Sequence, residues 1–280
     1  MSTALRIAHG TFGRVALLDM DRPLVRHAHP HCHVLLKVEG ADTQFIVGDD
    51  IAPLSEKDAV LVDGWKPHAY VHRPGQPRSL LLALYIEPGW LKEFRPAWAA
   101  SGAPGFFGTS HGEISPRIRT LTMRLAADMM SSPDRTAAHE VTLSDLMVAV
   151  IERFSPWRSS DSLIRSMAHP AFDRRIKKAV ETIRSQEGPA TPMDAIARQA
   201  GLSRAHFFRL FESSIGVPPR VFANVVRMEK AFAAVLNQDV PVAEISDRLG
   251  FPEPSHFTRF FTNHAGVGPR EFRTVSRLAS

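Results

Sequence analysis

The sequence predicts an α+β protein with a β-rich front half, a helical segment after it, and an all-helical back half. Three observations predict it. Short apolar and β-branched runs fill residues from about 10 to 88, with Gly, Pro and Asp between them. Apolar residues then recur every three or four positions from about Glu113 to Phe154. After Pro170 every run reads as helix, and a unit of about 50 residues repeats there.

The front runs are VALLDM, CHVLLKV, TQFIVG, AVLVDG, AYVH and SLLLALYI. Close-spaced short strands of this kind suggest a β-barrel or sandwich. In the next segment Ile118, Leu121, Leu125 and Met129 mark one amphipathic helix. Val141, Leu143, Met147, Val150 and Phe154 mark a second, and the two meet near Ser131–Asp134. The expected division is residues 1–155 for ligand sensing and dimerisation, 156–170 as linker, and 171–280 for the helical domain. In the last, FDRRIKKAVETIRSQ places Phe172, Ile176, Val180 and Ile183 on one face and stops near Gly188-Pro189. A longer helix runs from Pro219 to about Asn237.

Composition narrows the function classes. The chain has 280 residues, 44% hydrophobic and 22% charged, as in ordinary soluble domains. No apolar run is long enough to cross a membrane, and the start, MSTALRIAHGTFGR, has no apolar core of a signal peptide. Cys32 is the single cysteine, so no internal disulfide forms, as in a reducing cytoplasm. From Pro170 to Ser280 there are 16 Lys and Arg against 11 Asp and Glu, with 18 of each before that point. The whole net charge of +5 therefore sits in the back half, a bias suited to nucleic acid.

The repeat carries the strongest motif. One copy is IARQAGLSRAHFFRLFESSIGVPPRVF, from Ile196 to Phe222. The other is ISDRLGFPEPSHFTRFFTNHAGVGPREF, from Ile245 to Phe272. His206-Phe207, Arg209, Phe211, Pro219-Arg220 and Phe222 match residues 50 positions later, while Gly201 and Gly250 are 49 apart. The second turn thus holds one extra residue. Each copy has the logic of a helix-turn-helix: a short helix with small residues, a turn glycine, and a second helix. Ser203 is a suitable N-cap. Phe207, Leu210 and Phe211 are expected inside, as are Phe257, Phe260 and Phe261. A purely structural helical repeat is the competing reading, but stacked solenoids need three units.

These motifs resemble the AraC/XylS family of transcription regulators over about residues 172 to 275. The resemblance is most specific in DRLGFPEPSHFTRFFTNHAGVGPREFR. It implies two helix-turn-helix subdomains joined by a long helix, with both reading helices in adjacent major grooves of double-stranded DNA. Carried over by position, the first reading surface is Ser203, Arg204, Ala205, Phe208 and Arg209. The second is Pro254, Ser255, Thr258 and Arg259. Arg204 suits a guanine, since a guanidinium bonds O6 and N7 together. Arg209 and Arg259 suit either phosphate or a bracing role. Phe208 stands where a polar reader is expected and equally suits the core. Pro252 and Pro254 bracket the second turn and bear on where its helix starts. RNA polymerase is the partner that the family implies, with activation its usual sense.

Seven of the 13 histidines lie in the first 72 residues. If RHAHPHCHVLLKV is extended, His27, His29, His31 and His33 share one face. His68 and His72 follow near Trp65 and Tyr70. Strand order and the His-x-His, Gly64-x-x-Pro67-His68 pattern resemble a cupin barrel over about residues 12 to 88, the common sensor of AraC-type regulators. A metal-binding cupin would use His31, His33 and His68, but Lys37 stands where its carboxylate is wanted and Glu39 comes late. An organic effector pocket lined by His29, His31, His33, Trp65, His68, Tyr70 and His72 is the alternative, and structural histidines a third. No cofactor is expected. Two functions follow: a ligand-controlled DNA-binding regulator, not an enzyme and acting as a homodimer, or a metal-dependent cupin oxygenase or isomerase with a helical appendage. Cys32 reads as a small core residue.

Overall fold

The computed structural model describes residues 3–132, 135–156, 173–215, 217–236 and 240–277. They form two compact units, one mainly of residues 3–156 and one mainly of 173–273. Most of the expected linker, with Phe172 and Asn237, lies outside the described residues.

The first unit has nine strands among its described residues: β1 (Thr3–Gly10), β2 (Gly13–Met20), β3 (Cys32–Gly40), β4 (Thr43–Val47), β5 (Asp50–Leu54), β6 (Asp58–Val62), β7 (His68–Val71), β8 (Ser79–Ile86) and β9 (His111–Glu113). They form two antiparallel sheets, ordered β1-β2-β8-β3-β6-β9 and β5-β4-β7. The strand pairing makes no closed barrel among the described residues. In the smaller sheet β4 is central and takes β5 and β7 as partners. Pro53 lies on β5, an edge strand, where the lack of an N–H is tolerated. In the centre, β3 and β8 are buried along most of their length, which explains continuous apolar runs such as LLLALYI.

Two short helices, α1 (Pro88–Phe94) and a 3-10 helix (Pro96–Gly102), follow the strands, and α2 (Pro116–Ser131) and α3 (Thr136–Phe154) come later. Ser115 caps α2 by accepting from the Ile118 amide at 3.2 Å, with Pro116 at the first helical position. Ile118, Leu125 and Met129 of α2 and Leu143, Met147 and Val150 of α3 share one core with Val15, Leu17, Val34, Leu36, Leu82 and Leu84. Those sheet residues alternate along their strands, so the helices cover one face of the larger sheet. Val141, expected on the inner face of α3, is 66% exposed. Leu143, Met147 and Val150, expected on the same face, are buried, and Leu146 joins them.

The second unit is helical: α4 (Arg174–Ser185), α5 (Met193–Gln199), α6 (Arg204–Ile215), α7 (Pro219–Leu236), α8 (Val242–Arg248), α9 (Pro254–Ala265) and α10 (Pro269–Arg277). The repeat is visible in three dimensions. Phe207, Phe211 and Phe222 meet edge to face, with centroids 5.5 and 5.4 Å apart. Phe257, Phe261 and Phe272, 50 positions later, meet at 5.8 and 5.3 Å. All six are at most 1% exposed. The extra residue of the second turn is accommodated without displacing α9: α6 starts at Arg204 and α9 at Pro254, 50 positions apart. Pro254 is at the first helical position, where its fixed φ fits.

Both turn glycines are left-handed, Gly201 at φ 68° and Gly250 at φ 67°. Their surroundings differ. A Cβ on Gly201 meets nothing within 4 Å, whereas one on Gly250 would stand 2.2 Å from the Pro189 backbone nitrogen. Gly201→Ala should therefore cost only the backbone strain, about 1–2 kcal/mol. Gly250→Ala adds a collision with backbone and should cost about 3 kcal/mol or more. Urea denaturation of the two variants checks this ordering.

Candidate functional site

The two second helices of the repeat present matched surfaces. On α6 and its cap, Ser203, Arg204, Ala205 and Arg209 are exposed, and on α9 Pro254, Ser255, Thr258 and Arg259 are exposed. The buried phenylalanines take the opposite side of each helix, which leaves these residues outward. Phe208 is half-buried, with its ring edge to face with Phe207 at 5.8 Å, so it serves the core in part. Phe260 is likewise half-buried, against Phe251 at 5.2 Å. The Ser203 hydroxyl accepts from the His206 amide at 3.4 Å. Arg204 Nη1 donates to Asp194 of α5 at 2.8 Å, and its guanidinium lies 5.5 Å from the Phe208 ring centroid. Both groups of the pair are exposed enough for solvent to screen it, so Arg204 is steered rather than locked. Thr258 Oγ1 donates to the Pro254 carbonyl at 3.0 Å and keeps its lone pairs for an outside donor.

The histidines fall in different places. Strand β3 begins at Cys32, so His27, His29 and His31 precede it and do not share its face as expected. Pro30 interrupts the run, and without an amide hydrogen it does not continue a ladder. His31 Nε2 bonds Glu87 Oε1 at 2.8 Å, which holds the Glu87 carboxyl below its usual range. Among the described residues, the ligand atoms of His31, His33 and His68 do not come together as a metal-holding group. Lys37 is buried and donates to Asp42 Oδ1 at 2.6 Å. Cys32 is buried, and burial with the nearby Asp63 charge pushes its thiol up, away from a reactive thiolate.

His33 and His68 do meet, with ring centroids 5.3 Å apart. His33 Nδ1 donates to the Leu84 carbonyl at 2.9 Å and His68 Nδ1 to the Lys66 carbonyl at 3.0 Å. A carbonyl only accepts, so both rings carry a proton on Nδ1. Sequence reasoning missed what lies beside them. Strand register places His9, Arg14, Tyr85, His33 and Val62 in one row across β1, β2, β8, β3 and β6. Tyr85 stacks on His33 at 4.1 Å and carries the Arg14 guanidinium 3.8 Å over its ring. The next row on that face is Ala16, Ala83, Leu35 and Val60, whose two alanines are small and adjacent. His33 touches His68 of β7, so this face looks towards the smaller sheet, away from α2 and α3.

Tyr70 is buried against Phe45 at 5.3 Å, and its hydroxyl lies 3.2 Å from His72 Nδ1. Trp65 is half-buried at φ 68°, a conformation rare for a bulky residue. Its turn closes by the Lys66 amide donating to the Asp63 carbonyl at 3.1 Å. The glycine of the turn is used one position earlier. A Cβ on Gly64 would stand 2.7 Å from the Pro30 carbonyl oxygen, so Trp65 holds the left-handed position.

With this geometry in place, comparison with known proteins identifies the class. Residues 196–274 match a helix-turn-helix domain family. The match is confined to that segment, and over it the comparisons support the resemblance to AraC/XylS regulators. The chain is 29% identical over 109 residues to the Msm operon regulatory protein of Streptococcus mutans, covering 39% of this chain and 37% of that one. It is 24% identical over 79 residues to the lactose operon transcription activator of Staphylococcus xylosus, covering 28% of each. The chain thus spans well under half the length of these relatives. Two structures of ToxT from Vibrio cholerae share the fold over nearly the whole chain. An apo variant has TM-score 0.58 at 13% identity, covering 96% of this chain and 99% of that one. A form bound to unsaturated fatty acid has TM-score 0.55 at 12% identity, covering 94% and 95%. No helix among the described residues is long and apolar enough to cross a membrane.

The histidine pair gives a pH prediction. Burial, with His33 beside it, pushes His68 down from 6.5 to about 3. The unfolded chain then binds a proton that the folded chain refuses between those values, so this contribution is flat above pH 6.5 and destabilises as pH falls towards 3. The limiting slope is about 1.4 kcal/mol per pH unit. His68→Gln keeps a donor for the Lys66 carbonyl and should flatten part of the slope. Urea midpoints of both proteins between pH 7 and pH 4.5 measure it.

Proposed function

We propose that this chain is a sequence-specific DNA-binding transcription regulator with two helix-turn-helix motifs, α5–α6 and α8–α9. The observation that carries the reading is the pair of exposed helix faces, offset by 50 residues, each backed by its own phenylalanine triad within a matched helix-turn-helix segment. Arg204 reads a base edge from α6, with Ser203, Ala205 and Arg209 beside it. Pro254, Ser255, Thr258 and Arg259 form the second surface. Double-stranded DNA is the partner, RNA polymerase the downstream one, and activation the sense of regulation. The name of the Staphylococcus relative, a lactose operon transcription activator, supports that sense.

The first unit is the sensor in this reading. Its effector is a small organic molecule lying against the face that carries His33, Tyr85 and Arg14, with His68 opposite. Polar groups at one end of that face and the alanines and aliphatic residues next to them suit a molecule with a polar head and an apolar body. ToxT, of the same fold, has been seen with an unsaturated fatty acid. A homodimer in the cytoplasm is the working form, with α2 as the pairing helix. Met123 and Met130 lie two turns apart on it, at 40% and 44% exposure, and apolar groups at that spacing form a seam. His31 is held by Glu87 and is not gathered with His33 and His68, so the particular ligand set expected for the enzyme reading does not form.

Selection of bound sites from random duplex DNA tests this proposal. Arg204→Ala should cost about 1–3 kcal/mol and relax preference at one base position. Affinity should fall steeply as salt rises, because phosphate contacts release counterions. Equal losses on all sequences would make Arg204 a backbone contact, and no selected sequence at all would sink the reading.

A further inference from the structure

The second unit contains a hollow of about 610 Å³ between the end of α4, the middle of α7 and α8. Ile183, Val226 and Ile245 give it an apolar floor. Its charged lining is uneven: Arg227, Lys230 and Arg248 against the single carboxylate Glu187. Arg248 is paired with Glu244 on the same helix. The other two cations are three residues apart on α7 and both half-buried. Arg227 donates to the Leu249 carbonyl at 2.7 Å and the Gly250 carbonyl at 3.2 Å. Lys230 donates to the Gln186 carbonyl. A carbonyl accepts a hydrogen bond but brings no net charge, so both positive charges persist in the hollow. Gln186 also lines it, and its side-chain nitrogen is buried with no acceptor among the described residues. Donors and positive charge therefore exceed acceptors and negative charge. None of the proposed base-reading residues lines the hollow.

We propose that this hollow binds a small anion bearing carboxylate or phosphate groups, and that the anion ties α8 to α7 and so tunes DNA affinity. Arg227 and Lys230 supply the charge and Gln186 a neutral donor. The ligand joins the linking helix to the first helix of the second motif, which is where a small shift changes how the two reading helices are spaced. The site is independent of the effector face in the other unit.

Calorimetric titration of the full chain tests this at constant ionic strength, once with inorganic phosphate and once with citrate. Saturable submillimolar binding of either is expected, and which one binds tells a phosphoryl site from a carboxylate site. Lys230→Gln keeps a donor for the Gln186 carbonyl and removes the charge, and should weaken binding about tenfold. Lys230→Arg should restore it. Titrating the bound anion into a DNA-binding assay should shift the affinity of the wild-type chain and leave Lys230→Gln unmoved. No saturable heat from either anion overturns the proposal, as does equal binding by wild type and Lys230→Gln. So does a Lys230→Gln variant that loses DNA affinity in anion-free buffer with a shallower salt dependence, since that assigns Lys230 to a DNA phosphate. Calorimetry is read without DNA, so its outcome is separate from that of the regulator reading.

Discussion

Helix α7 puts one phenylalanine into each of two aromatic cores, and the geometry of the second unit depends on that sharing. Phe222 near its start closes the triad with Phe207 and Phe211. Phe232, ten residues on, packs against Phe261 at 5.3 Å and Phe272 at 5.1 Å. Ten residues of helix are about 15 Å of rise and about 80° short of three full turns. The two cores are thus held at a fixed distance and a fixed rotation by a rod rather than a loop. Their outward helices, α6 and α9, inherit that relation. Under the proposed reading of DNA by both helices, sequence specificity includes spacing: a site whose two halves stand further apart presents one half out of reach.

A rod between two cores transmits orientation only if its neighbours are fixed to it, and cations supply the fastening. Arg227 holds the carbonyls of the second turn and lies 4.0 Å over the ring of Phe251, the residue after the turn glycine. Arg273 of α10 donates to the Val235 and Val240 carbonyls at 2.9 and 2.7 Å, across the end of α7. Carbonyls at helix ends have no partner within the helix, so these bonds answer a need that every helix has. Bonds of this kind, with a charged donor, are worth about 1.5–3 kcal/mol each. Part of the basic excess of the back half therefore braces the fold. Arg227 and Arg273 brace, while Arg209 and Arg259 are exposed on α6 and α9. Net charge alone does not distinguish these uses.

What was legible in the sequence follows from which forces are local. The repeat was, because matching phenylalanines and glycines at a constant offset are a one-dimensional pattern. The turn glycine of each copy came from the same logic, and both glycines are left-handed. Six of the strands were, because apolar runs bounded by turn residues mark them. Strands β1, β5 and β9 were not: TALRIAHG alternates weakly, DIAPL contains a proline, and HGE has no apolar residue. The expected line of four histidines failed at Pro30, where chain direction outweighs residue period. Sheet closure was beyond reach as well, since pairing between distant strands decides it.

The polar row of the first unit is the clearest case of information carried by register alone. His9, Arg14, Tyr85 and His33 are spread over 77 positions of sequence and become neighbours only when four strands align. The row on the opposite face, Val15, Leu84, Val34 and Leu61, is wholly apolar and buried, as a sheet interior ordinarily is. Desolvation acts on the polar row. Burial with the Arg14 charge pushes His9 down to about 3, and burial pushes Arg14 itself down, with Tyr85 opposing. Aliphatic residues of similar size would fill these positions without that cost. That cost is concentrated beside two adjacent alanines and opposite a second buried histidine, the surroundings on which the proposed effector face rests.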